Sequence, residues 1–141
     1  MDILALRNTS TQTIASGDAV NFGQVYRRFV NGPTYTNTDT SITLNKRGIY
    51  TVSIVATLSS TVAGDAVIQL EQNATEIPAA VTTETLVVGD FNTVPLQTTI
   101  LVDDTNILGC NSVTPATIVL RNTGENPLTI TNIDTRIVKE V

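Results

Sequence analysis

From Tyr50 to Leu58 every second side chain is apolar: Tyr50, Val52, Ile54, Ala56 and Leu58. Thr51, Ser53 and Thr57 fall between them. Successive side chains of a strand point to opposite faces, whereas a helix would scatter these residues around its axis. The segment Gly48 to Leu58 is therefore a long strand with one buried face. Such a strand cannot stand alone, because its apolar face needs an opposing layer. Its other face is not wholly polar, since Ile49 and Val55 lie on it.

Similar runs recur along the chain. Ile42 and Leu44 alternate with Ser41 and Thr43, and Asn45-Lys46-Arg47-Gly48 reads as a tight turn into the long strand. Strands are expected at 66–72, after Ala63-Gly64-Asp65, and at 83–88, closed by Gly89-Asp90. Val94 to Val102 alternates and is closed by Asp103-Asp104, and Ile118 and Leu120 share a face of 116–121. The cluster Thr123-Gly124-Glu125-Asn126-Pro127 is a turn, and Leu128 and Ile130 begin a last strand continued by Ile133 and Ile137. The apolar parity changes between 130 and 133, which implies a bulge. Thr supplies 25 of the residues and Asn 12, as a chain rich in pleated, half-wet surface and in turns requires.

The first forty residues are less regular. Ile3 and Ala5 suggest a short opening strand, and Thr9 to Thr13 is polar. Phe22, Val25, Tyr26 and Phe29 have the spacing of one helix face, or of a strand interrupted at Gly23. The strand reading agrees with the rest of the chain. No linker or repeat divides the 141 residues, so they form one domain. Within it, 1–40 reads as an N-terminal arm with the first strands and an anchor to a partner, and 41–141 as the remainder. Many short strands with turns every 8–12 residues define an all-β, two-sheet antiparallel jelly-roll sandwich of about eight to ten strands.

Residue usage narrows function. The chain has no His and no Trp, one Cys, and a net charge of −5. A nucleic-acid surface needs clustered Lys and Arg, and only eight are present. No apolar run approaches the length of a membrane-spanning helix, so no membrane partner is expected. Ser, Thr and Cys have no His to activate them, no nucleophile elbow or phosphate loop appears, and no cofactor is expected. Carboxylate pairs that meet only in space are a remote alternative. Met1 begins no secretory signal, so use without Sec-type export is expected, and the sequons at Asn8 and Asn73 then carry no glycan. Cys110 reads as a small buried hydrophobe. Asp103 and Asp104, with Asp90 and Asn106, are oxygen ligands suited to calcium, but a solvated turn closing a strand is the favoured account, and no metal site is expected.

The order of segments resembles a known family. Ile42 to Val52, with its Gly48-Ile49-Tyr50, is similar to the signature of tumour-necrosis-factor-like and complement-type globular domains. Ile68 to Pro78, Ala116 to Thr123, Leu128 to Ile130 and Ile137 to Lys139 follow in the family's order. The narrower likeness is to the C-terminal domain of bacterial collagen-like spore-surface glycoproteins, a type also found in phage proteins. It spans roughly 40–141. It implies a ten-stranded jelly roll, TNF-like, that forms a tight homotrimer. Two departures stand out. No Gly-X-Y stem precedes the domain, and the expected Asn-Gly turn reads Asn73-Ala74.

A trimer also follows from Ile49 and Val55, because a strand apolar on both faces needs cover on both. These two residues are the expected trimer interface. The leading function is a non-enzymatic structural protein of the virion: a phage capsid decoration or head-fibre subunit that binds the major capsid protein or another virion protein. Ile3, Leu4, Leu6, Arg7, Arg27 and Arg28 are the expected partner contacts. The alternative is a receptor- or glycan-binding knob of a tail fibre or bacterial surface protein, which would use exposed aromatics.

Overall fold

The computed structural model describes residues 2–29, 35–107 and 110–140. Their regular elements are all strands, as the alternation requires. One sheet has the order β3 (Gln24–Phe29), β1 (Asp2–Asn8), β13 (Leu128–Lys139), β6 (Gly48–Ser59), β9 (Asn92–Val102), and β2 (Gln12–Ile14) also pairs with β13. The second has the order β4 (Tyr35–Asn37), β5 (Ile42–Leu44), β12 (Ala116–Asn122), β7 (Gly64–Gln72), β8 (Thr75–Leu86). All these pairings are antiparallel, and the two sheets form a jelly-roll sandwich. A separate hairpin, β10 (Asp104–Ile107) with β11 (Cys110–Val113), extends the β9–β12 connection.

The core is the set of inward positions of both sheets. Tyr50, Val52, Ile54, Ala56 and Leu58 of β6 are all buried, and Ile68, Leu70, Ile118 and Leu120 meet them from the opposite layer. Each such aliphatic side chain contributes about 1.5–3 kcal/mol by leaving water. The expected bulge in β13 is present as a register shift between Ile130 and Asn132.

The described residues among the first forty, 2–29 and 35–40, are part of this sandwich. β1 lies between β3 and β13, so both its edges are paired. Asp2 stands opposite Lys139. Residues 17–20 then run beside β12, through Gly17 N–H to the Asn122 carbonyl at 2.7 Å and Val20 N–H to the Leu120 carbonyl at 2.8 Å. Val20 and Phe22 are fully buried. The stretch thus ties the first sheet to the second. The strand alternative holds for 24–29, with the irregularity where it was expected: Gly23 has φ +85° and β1–β3 shifts register between Ala5 and Leu6.

Two strands differ from expectation. β8 begins at Thr75 rather than at 83. Its first half contains Pro78 and a register shift against β7, and the buried Gln69 amide fills the gap by donating to the carbonyls of Ile77 (2.6 Å) and Ala80 (3.3 Å). The β10–β11 hairpin follows the point where Asp103-Asp104 was read as closing a strand.

Candidate functional site

On the outward face of the first sheet, the paired residues of β6 and β9 carry no charge. On β6 the outward residues are Ile49, Thr51, Ser53, Val55 and Thr57, opposite Leu101, Thr99, Gln97, Pro95 and Thr93 of β9. Ile49 is 39% exposed, Val55 47% and Leu101 57%. Pro95 is also exposed, and Ile3 and Val138, half-buried, form the next cross-strand pair. Hydroxyls and aliphatics alternate on β6 and β9, and Asp134 and Arg136 of β13 stand beside Val55 and Ser53 on the same face. The Ile49–Leu101 end opens into a cavity of about 520 Å3 with Arg47 and Lys139 among its walls.

The expected partner contacts do not form one surface. Leu4 and Leu6 are 3% and 0% exposed and belong to the core, so they offer nothing to a partner. β1 is paired on both edges, and its alternation turns Leu4 and Leu6 to the core. Ile3 is half-buried and outward. Arg7 is exposed, donates from Nε to Asp134 at 2.6 Å, and stacks on Tyr26 at 4.4 Å. Its hydrogen bond to Asp134, and then their mutual attraction, raise its pKa. Arg27 is exposed opposite Ala5, and Arg28 lies over the Tyr35 ring at 5.1 Å.

Two of the calcium candidates, Asp90 and Asp103, stand at opposite ends of β9. Asp90 closes the turn before β9, with its N–H donating to the Val87 carbonyl at 3.1 Å, and Asp103 follows the far end of that strand beside Arg47 at 3.7 Å. Among the described residues no three His, Cys, Asp or Glu side chains gather to hold a metal. The side chains of Asp104, Asn106 and Cys110 lie outside the described residues.

The tyrosines divide by role. Tyr50 is buried and its hydroxyl donates to the Lys46 carbonyl, which pins the turn before β6. Burial, and then the nearby Asp2, push its phenol up to about 12. Tyr35 is raised by burial against the opposing pull of Arg28. Its hydroxyl and Thr135 Oγ1 are buried without a hydrogen-bond partner among the described residues. Tyr26 and Phe91 are the well-exposed aromatics among the described side chains, at 54% and 64%. Sequence reading missed the company Phe91 keeps: Val87 and Val88 are exposed on the same turn, where Gly89 has φ +86°.

No protein-family model matches the chain, and no curated protein matches it in sequence. Solved structures do match in fold. The globular domain of zebrafish complement 1qA is similar over 100% of this chain and 98% of its own, with TM-score 0.69 and 8% identity. Eiger TNF from S. frugiperda is similar over 100% and 94%, with TM-score 0.62 and 9% identity. The PRD1 vertex protein P5 is similar over 96% and 95%, with TM-score 0.52 and 18% identity. Identities this low speak for fold alone. The chain has the tumour-necrosis-factor and complement-1q jelly-roll fold. The narrower spore-surface likeness rests on sequence segments only.

Proposed function

We propose that the chain is a non-enzymatic structural protein of a virus particle, a homotrimer that decorates a phage capsid or forms part of a head fibre. The observation that carries the reading is the apolar outer face of β6 and β9, with Ile49, Val55, Pro95 and Leu101 on it. A monomer gains nothing from such a face, while a neighbouring copy removes it from water. A ring of three closes the contact, so no copy is left with an open surface. The likeness to a protein named for a vertex supports placement on a particle, bound to the major capsid protein or another virion protein. The lack of His, the usual activating base, supports a role without chemistry.

Two measurements test the reading. Sedimentation equilibrium is expected to return three copies of the 15.0 kDa chain. Cryo-electron microscopy of particles from the virus that encodes the chain is expected to place it outside the shell. A monomer in the first measurement removes the trimer, and particles without the protein remove the virion role.

A further inference from the structure

Where the end of β1 meets the start of β3 and the loop before β5, the surface opens into a groove of about 520 Å3. Its frame is held by side-chain bonds to the backbone. Asn8 and Gln12 donate through their amides to the Asn21 carbonyl at 3.1 and 2.9 Å, and Gln12 Oε1 accepts from Asn21 N–H at 2.9 Å. Asn21 Oδ1 accepts from Gly23 N–H at 2.8 Å, and Phe22 N–H donates to the Asp39 carbonyl at 2.8 Å. A Cβ at Gly23 would stand 2.2 Å from the Arg7 carbonyl oxygen, so the two strands meet there without room for change.

That frame leaves a second set of polar groups unused. The side chains of Thr9, Gln24 and Asp39 line the groove, and so does the Ser10 hydroxyl; none of them bonds another described residue. They comprise a carboxylate that only accepts, an amide that does both, and two hydroxyls that do both. No aliphatic or aromatic side chain lines the groove among the described residues. Only a ligand that hydrogen-bonds over most of its surface gains from entering, because an apolar one would leave these groups unpaired. The Arg7 guanidinium at the wall is already engaged by Asp134, so Asp39 is the uncompensated charge and disfavours an anion. Tyr26 stacks on the same Arg7 and leaves its ring exposed.

We propose that this groove binds a neutral sugar, a hexose or N-acetylhexosamine presented on a glycan. The inference stands apart from the trimer and virion reading, since it uses neither the β6–β9 face nor a shell. The experiment is a glycan array of neutral and acidic glycans probed with the whole purified protein, followed by calorimetric titration of the best-bound neutral glycan. Neutral glycans are expected to bind and sialylated or uronic ones are not. Asp39→Asn is expected to weaken binding about tenfold, the loss of one charge-assisted hydrogen bond, with the thermal midpoint unchanged. Gln24→Ala weakens it as well, while Val81→Ala on the other sheet leaves it intact. An array without neutral ligands, binding of acidic glycans alone, or equal binding by Asp39→Asn overturns the proposal.

Discussion

Ile49 on β6 stands directly opposite Leu101 on β9, and both side chains point away from the core. In the trimer we propose, a neighbouring copy covers this pair. Leu101→Asp would place an unpaired carboxylate in that contact, at a cost of several kcal/mol. The expected outcome is a monomer by light scattering. Its far-ultraviolet circular dichroism should be unchanged, because an outward position in the monomer is worth only about half a kcal/mol to the fold. Retention of the trimer would show that this face is not the contact.

The β7–β8 hairpin closes through Asn73 and Ala74, with φ +52° and +65°. Asn73 suits this region and is anchored there, accepting from Thr117 N–H at 2.8 Å. Ala74 is not suited, and its Cβ costs about 1 kcal/mol in a left-handed backbone. Ala74→Gly is therefore expected to stabilise the domain by up to that amount and raise Tm by about 3 °C, read by scanning calorimetry.

Asn122 is 1% exposed and joins three backbone segments. Its Nδ2 donates to the carbonyls of Ile14 and Asn126, both at 3.0 Å, and its Oδ1 accepts from Gly124 N–H at 3.0 Å. Asn122→Ala strands these groups away from water, where each costs about 1–3 kcal/mol. A loss of about 3 kcal/mol or more is expected in urea unfolding.

Tyr50 gives the domain an alkaline limit. An unfolded tyrosine ionises near pH 10, while the buried phenol holds its proton to about 12. Between those values the unfolded chain binds fewer protons than the folded one, so stability falls as pH rises. Its contribution is fully present below pH 10. Urea midpoints measured from pH 9 to 12 should show the fall, and Tyr50→Phe should make it shallower, leaving the smaller contribution of Tyr35. The variant is also less stable at neutral pH, because the Lys46 carbonyl loses its donor.

Removal of residues 2–12 deletes β1, which carries seven paired positions against β13 and the buried Leu4 and Leu6. A detachable arm would leave a folded, soluble remainder. Integration in the sheet predicts instead a chain without a cooperative thermal transition, seen by circular dichroism.

Legibility in the sequence followed how far burial was one-sided. β6 was plain because its inner positions are all apolar and most of its outer ones are hydroxyls, and the parity change in β13 marked its bulge. β1 was obscure because Leu4, Ala5 and Leu6 are all buried; Ala5 is small and lies between Arg136 and Arg27 in the register, so alternation vanishes. The first half of β8 was hidden by Pro78 and by a gap that only the Gln69 side chain fills. The groove was invisible for another reason. Its residues come from 7–10, 21–24 and 39, and each group alone reads as an ordinary polar turn.

Because Asp2 faces Lys139, both chain ends leave the sandwich at one pole. The loops at 60–63, 87–91 and 123–127 gather at the other, beyond Ser59, Asn92 and Leu128. A fluorophore or affinity handle spliced to either end thus grips the molecule by the same pole and presents Val62, Val88 and Phe91 to the bulk, giving it a built-in polarity on any support.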